Sequence, residues 1–383
     1  MSVLLPPDAL AYIEESHDAL IDLIMTLCAI PSPSNHEEQR AAFCKKWLED
    51  AGGKGVVIDD ALNVILPVGD CSGSAPLYVF TAHTDTVFPD RQPFSPHREG
   101  DKLCCPGVGD DTANLAVLLL TARYILQKQL RPREGGVLIV ANSGEEGLGN
   151  LKGTRAIMNT YGSRVRRFIS FDGSYPAVCD RAVGSARYRV EVLTEGGHSF
   201  GDFGNRNAIY YLSQMISDLY SMTVPVSGDS ITTYNVGGIS GGTSVNTIAQ
   251  QAEMLYEYRS DSDACLQAME RFFQSVIAHY RAMGITVNVE LLGKRPGMGE
   301  VDPAAMDALR NTISAIMKEY TGQEARFHPS STDCNIPLSM GIPAAAFGAY
   351  LGSGAHTREE FILLSSLPAG FKIAMSAVLD RFS

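Results

Sequence analysis

The sequence predicts an α/β fold, in which a mostly parallel sheet is flanked by helices and interrupted by an inserted ferredoxin-like α+β domain. Two observations predict it. Upstream of Gly184, short apolar runs alternate with segments whose apolar residues recur at helical spacing, as is typical of parallel β-α-β units. Downstream of Gly184 the order of elements becomes β-α-β-β-α-β, and helix, strand and helix return from Pro303 to the end.

The α/β part alternates between helical and strand-like segments. Apolar positions at helical spacing predict helices over Pro7–Ile30, Glu37–Ala51 and Asn114–Gln129. Short apolar runs that contain β-branched and aromatic residues predict buried strands over Leu77–Phe80, Gly136–Ala141 and Arg167–Phe171. The Pro-Ser-Pro-Ser segment at 31–34 and the glycines at 52–53 separate the first elements, because both kinds of residue end helices.

The inserted part is a complete unit of its own. We predict strands over Tyr188–Thr194, Ile231–Val236, Ala252–Tyr258 and Ile285–Leu292, and helices over Asn207–Met222 and Asp263–Met283. A unit of about a hundred residues is of domain size. We therefore expect one domain formed by residues 1–183 and 296–383, and a second domain formed by residues 184–295.

The composition is that of a globular protein, with 383 residues, 45% hydrophobic and 19% charged. The net charge of -12 argues against nucleic acid as a partner, because an acidic chain repels phosphate backbones. The first residues lack the pattern of a signal peptide, and the longest apolar run, Leu115–Leu120, is too short to span a membrane. We expect a soluble cytoplasmic protein whose eight cysteines, which form no CxxC pair, are reduced.

Five polar elements follow predicted strands or precede predicted helices. They are His83 with Asp85, Asp110 with Asp111 in a glycine-rich stretch, Glu145 with Glu146, Asp172, and His356. Each element alone has a structural alternative, such as a hydrogen-bonded His-Asp pair, helix capping by Asp, or a solvated acidic loop. Together they gather imidazoles and carboxylates, which are zinc ligands, at the carboxyl edge of one sheet, where functional sites collect.

In this order, the elements resemble the zinc amidohydrolase and exopeptidase family that contains peptidase T, bacterial glutamate carboxypeptidase, the aminoacylases and succinyl-diaminopimelate desuccinylase. The resemblance covers nearly the whole chain, and it implies that residues 184–295 form a lid and dimerisation domain on a zinc-binding catalytic domain. Because desuccinylase-type members tend to have Glu at the fourth element, Asp172 favours the peptidase T-like and glutamate carboxypeptidase-like members. The chain departs from the family where Thr112 and Asn114 replace the usual Lys and Gly.

The resemblance implies two zinc ions, for which cobalt or manganese could substitute. Asp110, the first of its pair as in the family, would bridge both ions. The remaining metal ligands would be His83 and Asp172 on one ion, and Glu146 and His356 on the other. Asp85 would orient His83. Glu145 would bind no metal, and would act as general base on a water held between the two ions.

The resemblance also implies roles for three residues of the lid. In the family, the histidine at the position of His198 reaches the active site of the partner subunit and stabilises the oxyanion, which implies a homodimer through the lid. Asn246 and Arg259 resemble substrate-binding positions, and Arg suits a carboxylate. A surface ion pair is the alternative for Arg259. The turn at 331–335, which contains Asp333, resembles the peptidase members but receives no role.

We therefore expect a metal-dependent exopeptidase that cleaves short peptides. An N-acyl amino acid deacylase of the aminoacylase or desuccinylase type is the alternative, because the same zinc centre hydrolyses both kinds of amide. A catalytically inactive binding protein on the same fold is a more remote alternative. The sequence does not distinguish an aminopeptidase from a carboxypeptidase.

Overall fold

The computed structural model describes residues 4–383, which divide into two compact units. One contains the chain up to Ala182 together with Gly299–Ser383, and the other is Val183–Met298. The α/β fold with an inserted α+β unit is the one that the sequence predicts. No helix within residues 4–383 has the length and apolar character needed to cross a membrane.

The helices mostly coincide with the predicted segments. They are α1 (Pro7–Glu15), α2 (His17–Cys28), α3 (Glu38–Asp50), α4 (Asn114–Lys128), α5 (Lys152–Tyr161), α6 (Ala208–Tyr220), α7 (Asp263–Ala282), α8 (Pro303–Thr321), α9 (Asn335–Ser339) and α10 (Leu367–Leu379). The single helix expected over Pro7–Ile30 is two helices. They meet at Ser16, whose φ of −90° and ψ of 3° leave the α-helical region and turn the chain.

The strands include several short ones that the sequence did not predict. They are β1 (Val57–Ile58), β2 (Val64–Gly69), β3 (Leu77–His83), β4 (His97–Glu99), β5 (Lys102–Cys104), β6 (Gly136–Asn142), β7 (Val165–Ser170), β8 (Ala177–Ala182), β9 (Gly184–Leu193), β10 (Gly197–His198), β11 (Thr232–Gly241), β12 (Thr247–Ile248), β13 (Gln251–Ser260), β14 (Thr286–Arg295), β15 (Arg326–Ser330), β16 (Ala344–Phe347), β17 (Gly352–Ser353) and β18 (Phe361–Leu363).

The larger unit is built on a sheet of order β1-β2-β6-β3-β7-β16-β8-β15. Its central strands β6, β3, β7 and β16 run parallel, and every residue of β3 and β6 is buried. Helix α4 is buried along most of its length. Because β3, β6 and β7 are parallel, their carboxyl ends at His83, Asn142 and Ser170 lie at one edge of the sheet, and the polar elements follow there.

The inserted unit has an antiparallel sheet of order β11-β13-β9-β14, which is the ferredoxin-like arrangement. Helices α6 and α7 pack on one face of this sheet. The core includes Leu212 and Met215 of α6, Phe273 of α7, and Tyr188 and Tyr256 of the sheet. The alternation of buried and exposed residues along β9 and β13 is what places these side chains on the helix side.

A small second sheet of order β17-β18-β5-β4 belongs to the larger unit. It joins the β4–β5 hairpin to strands near the end of the chain, with Phe361 opposite Cys104. Strands of two or three mostly exposed residues carry too few positions to show an alternating pattern, so the sequence did not predict them.

Candidate metal centre

His83 is the last residue of β3 and is fully buried. Its Nδ1 lies 3.0 Å from the backbone oxygen of Asp85. A carbonyl oxygen can only accept, so this contact assigns the proton to Nδ1 and directs the Nε2 lone pair towards the carboxylates. Nε2 lies 3.0 Å from Oδ1 of Asp110. The backbone of Asp85, just after the end of β3, therefore holds the imidazole in the orientation of a metal ligand.

The carboxylate of Asp110 lies between two imidazoles. Its Oδ1 faces His83, and its Oδ2 lies 3.1 Å from Nε2 of His356. The same Nε2 is 3.2 Å from Oε1 of Glu146, a buried oxygen that makes no hydrogen bond of ordinary geometry. The carboxylate of Asp110 therefore has His83 on one side and His356 on the other, and Glu146 lies on the side of His356.

Asp111 has different contacts, although it is adjacent to Asp110 across a cis peptide bond. Its Oδ2 accepts the backbone N–H of His83 at 2.8 Å, and its Oδ1 accepts the side-chain N–H of Asn114 at 2.6 Å. The side chain is fully buried. Both of its oxygens are therefore engaged by the protein, whereas those of Asp110 face histidine nitrogens.

Asp85 connects two of the polar elements. Its Oδ1 accepts the backbone N–H of Glu145 at 3.0 Å, and its Oδ2 accepts that of Glu146 at 3.0 Å. Ser34 donates to Oδ2 at 2.6 Å, and Nδ1 of His83 lies 3.4 Å from Oδ1. One buried carboxylate thus fixes the backbone of the paired glutamates and contacts the ring of His83.

The predicted ligands form two clusters whose ligand atoms lie within 4.8 Å of one another. The first contains His83, Asp110 and Asp172 together with Asp111, and the second contains Asp110, Glu146 and His356. Asp110 belongs to both. A third such group contains His83, Glu145 and Glu146, so Glu145 lies beside the clusters.

The electrostatics of these clusters show a surplus of negative charge. Among residues 4–383, the ion pairs of Asp110 and Glu146 are made with His83 and His356 and with no Lys or Arg. Burial, followed by the charge of Asp110, raises the pKa of Asp172 to about 7. Carboxylates that are buried close together are costly unless protons on neighbouring histidines or bound metal ions compensate their charge.

The histidines respond to the same surplus of charge. The close contacts with the carboxylates of Asp110 and Glu146 raise the pKa of His356 to about 10. Burial alone would lower the pKa of His83, but the carboxylates of Asp111, Asp110 and Asp85 raise it well above its ordinary value. Cations at the two clusters would replace these protons. A set of imidazole nitrogens and carboxylate oxygens fits zinc, cobalt or manganese.

Glu360 supports the centre and has no role in the sequence prediction. It is buried, and its Oε2 accepts the backbone N–H of Gly107 at 2.6 Å, while its Oε1 accepts those of Gly109 and Asp110 at 2.9 Å. It is the glutamate of the HT-x-x-E element that contains His356. Its place in that motif was the signal that could have found it.

Arg40 is a second supporting residue, and nothing in the sequence indicates its role. The guanidinium is buried and donates to the backbone oxygens of Leu27, Ile30 and Thr84 at 2.9, 3.0 and 2.9 Å. Thr84 lies between His83 and Asp85. Arg40 therefore ties the end of α2 to the backbone that carries the first cluster.

Asp333, in the turn that the sequence left without a role, is fully buried. It accepts the side-chain N–H of Asn142 at 2.5 Å and the hydroxyl of Thr154 at 2.6 Å. Asn142 is the last residue of β6, and its backbone oxygen accepts the N–H of Thr84 at 2.7 Å. Asp333 thus holds the end of the strand that precedes the paired glutamates.

Two of the three site residues predicted in the inserted unit are brought together by strand pairing. His198 of β10 pairs with Thr247 of β12, and the backbone oxygen of Asn246 accepts the N–H of Ser199 at 3.0 Å. Nδ1 of His198 accepts the N–H groups of Phe200 and Gly201 at 3.3 and 3.2 Å. A nitrogen that accepts is unprotonated, so neutral His198 carries its proton on Nε2.

Arg259 makes a two-point ion pair with Glu257 on the same strand. The distances from Nε to Oε1 and from Nη2 to Oε2 are both 3.1 Å. Nε of Arg187 lies 3.5 Å from the same carboxylate. This is the ion-pair arrangement that was the alternative in the sequence interpretation. Substrate binding by Arg259 stays a prediction.

A model of the peptidase family M20/M25/M40 matches residues 79–380, which is most of the chain and includes all five polar elements. The chain belongs to peptidase family M20/M25/M40. It is therefore a hydrolase of the family that the motifs indicated. The family is one of metal-dependent peptidases and amidohydrolases, which agrees with the donor set of the two clusters.

Individual members of the family resemble the chain along most of its length. The succinyl-diaminopimelate desuccinylase of Corynebacterium glutamicum is 26% identical over 352 residues, which cover 89% of this chain and 90% of the relative. The structure of a tripeptidase from Staphylococcus aureus aligns with a TM-score of 0.74 at 21% identity, covering 95% of this chain and 99% of that one.

A third member, a dinuclear metal-binding peptidase of Bacillus subtilis, aligns with a TM-score of 0.61 at 17% identity, covering 96% of this M20-family chain and 99% of the neighbour. At these identities, the structural matches show that the fold is shared.

Proposed function

We propose that this M20-family chain is a two-metal exopeptidase that hydrolyses an amide bond of short peptides. The observation that carries the proposal is the position of Asp110, with one carboxylate oxygen 3.0 Å from the first histidine and the other 3.1 Å from the second. A carboxylate so placed is suited to bridge two ions. Because both oxygens of Asp111 accept N–H groups, Asp110 is the better candidate for the bridge.

The metal ligands follow from the two clusters. His83 and Asp172 hold one ion with Asp110, and Glu146 and His356 hold the other with Asp110. Two bound ions, of which zinc is the best candidate, would lower the pKa of water and polarise the scissile carbonyl. The dinuclear relative from Bacillus subtilis supports a pair of ions.

Glu145 is the proposed general base. Its neighbour Glu146 is held in the second cluster, and the backbone of both is fixed by Asp85. Glu145 takes a proton from the attacking water and delivers it to the leaving amine. Asp85 accepts the backbone N–H of Glu145 and contacts the ring of His83. It therefore acts as a positioning residue for both side chains.

His198 is the proposed donor to the oxyanion. With Nδ1 occupied by two backbone N–H groups, Nε2–H is free to donate to a developing negative charge. Asn246 stands beside it and is a candidate for substrate binding. Arg259 is a candidate for binding a substrate carboxylate, in which case the carboxylate competes with Glu257 for the guanidinium.

A homodimer through the inserted unit is part of the proposal. Phe200 and Phe203 are 90% and 89% exposed, close in sequence to His198, and Val245 is fully exposed beside Asn246. Large apolar side chains with this exposure mark an interaction surface. A second copy of the chain would bury them and would bring His198 to an active site in trans.

An N-acyl amino acid deacylase is the second candidate, since the Corynebacterium glutamicum relative is a desuccinylase. The exopeptidase and the deacylase are distinguished by incubating metal-reconstituted protein with di- and tripeptides and with N-acyl amino acids. The products are identified by mass spectrometry. Release of a terminal residue from peptides is expected. Cleavage of N-acyl amino acids without peptide cleavage would replace the proposal by the deacylase.

A further inference from the structure

The β4–β5 hairpin places three possible metal ligands on one face of the small sheet. His97 lies opposite Cys104 in the antiparallel register. Glu99 is two residues beyond His97 on β4, and alternate residues of a strand share a face. The three side chains therefore point to the same side. None of them belongs to the two clusters around Asp110.

The ligand atoms of the three residues are already close. Nε2 of His97 lies 3.2 Å from Oε1 of Glu99, and the imidazole, carboxylate and thiol atoms all lie within 4.8 Å of one another. Ligands on tetrahedral zinc, with bonds of about 2.0–2.3 Å, are about 3.3–3.8 Å apart. The strand pairing sets the backbone positions, so a bound ion would have to close that difference by rotation of side chains such as that of half-buried Cys104.

A surface ion pair between His97 and Glu99 would explain two of these residues but not the thiol opposite them. The only ammonium nearby on the hairpin is that of Lys102, which is opposite Glu99. It lies 3.9 Å from the ring centre of Phe361, a residue of β18. Since β18 and β4 flank β5 on opposite sides, this contact draws the cation away from His97 and Glu99.

We propose that His97, Glu99 and Cys104 bind one divalent transition-metal ion, such as zinc, and leave a fourth position for water. The site is open to solvent, so its occupancy depends on the metal concentration around the protein. Residue 104 ends β5, and the chain continues within a few residues to the loop at 107–110 that carries Asp110. An ion on the hairpin would hold the start of that loop in place.

Cobalt provides a test, because a thiolate on Co²⁺ gives an intense near-ultraviolet charge-transfer band that imidazole and carboxylate ligands do not give. The full chain is freed of metal with a chelator and titrated with Co²⁺. The band should grow and saturate with one thiolate-bound ion per chain, in addition to the two ions expected at the centre around Asp110. It should be lost in Cys104→Ser and weakened at least tenfold in apparent affinity in His97→Gln.

The control variant is Cys71→Ser, which removes another partly exposed thiol without touching the hairpin and should keep the band. A band that is absent, or that survives Cys104→Ser, would overturn the proposal. Equal affinity of His97→Gln and the wild type for Co²⁺ would also overturn the proposal, since Cys104 would then bind the ion without His97. Peptide hydrolysis by Cys104→Ser reports separately on the centre at Asp110, which contains no sulfur.

Discussion

Oε1 of Glu360 accepts the backbone N–H of Asp110 at 2.9 Å, although the two residues are 250 positions apart in the chain. Glu360 is four residues beyond His356, whose φ of 65° places it in a left-handed turn. The loop that carries one proposed ligand therefore also fixes the backbone of the residue proposed to bridge both ions. A single carboxylate couples the two segments.

Replacing Glu360 should weaken metal binding. In Glu360→Gln, an amide NH₂ takes the place of one accepting oxygen and meets a backbone N–H that can only donate. Because partners that support metal ligands contribute about 10–100-fold to metal affinity, we expect a loss of that size in chelator competition. The matched control is Glu359→Gln, which changes an exposed neighbour. Equal metal affinity in both variants would show that Glu360 does not position Asp110.

Glu145→Gln should retain the metal ions and lose catalysis. The variant keeps the shape of the side chain but cannot take a proton, so we expect kcat to fall by about 10²–10⁴-fold. Metal content by mass spectrometry should equal that of the wild type. Glu146→Gln is the matched variant, and it should lose metal. If Glu145→Gln loses metal instead, Glu145 is a ligand and the two assignments must be exchanged.

The role of His198 can be tested by mixing two inactive proteins. His198→Gln should lower kcat about 10²–10³-fold, since one oxyanion donor is removed. If His198 acts in trans, a mixed dimer of His198→Gln and Glu145→Gln has one intact site. Equal mixing after subunit exchange should then restore about a quarter of wild-type activity. No recovery, with exchange confirmed by native mass spectrometry, would contradict catalysis in trans.

Glu270 of the inserted unit should make the stability of that unit depend on pH. Its carboxylate accepts the hydroxyl of Tyr188 at 2.8 Å and also that of Tyr258. Burial alone would raise the pKa of Glu270, but the hydrogen bonds, led by that of Tyr258, lower it below 4.5. Ionised Glu270 therefore stabilises the folded unit above pH 4.5, and this stabilisation is lost as the pH falls through the lowered pKa.

Thermal unfolding of Glu270→Gln and wild type as a function of pH measures this contribution. The variant should be less stable by about 1 kcal/mol near neutral pH, and the difference should shrink as the pH falls below the ordinary value of the carboxyl. Asp229→Asn, an exposed carboxylate of the same unit, serves as the control and should show no such trend. A difference that is constant with pH would contradict an ionised Glu270 in the fold.

The sequence predicted what depends on local pattern and motif. The strands that end near His83 and Asn142, and the βαββαβ order of the inserted unit, are visible because buried strands and long helices have characteristic periodicities. The contacts of Glu360 with Gly107 and Asp110 were not predictable in this way. These hydrogen bonds join segments that are distant in the chain, and the sequence does not indicate from which N–H groups a glutamate will accept hydrogen bonds.

Two other differences have physical reasons. The break at Ser16 interrupts a continuous helical periodicity, because α1 and α2 each turn an apolar face to the core without forming one straight helix. The choice between Asp110 and Asp111 depends on which carboxylate is already satisfied by N–H donors, such as Asn114. Adjacent identical residues carry no sequence signal for that distinction.

The most direct test of the proposed function is the zinc content of the protein measured together with its peptide hydrolysis. The measurement is best made in Cys104→Ser, so that the hairpin does not contribute to the count. We predict two zinc ions per chain, loss of hydrolysis on chelation, recovery with added zinc, and fewer than one ion in Cys104→Ser carrying Asp110→Asn. Hydrolysis that survives complete metal removal, or two ions retained without Asp110, would contradict the account.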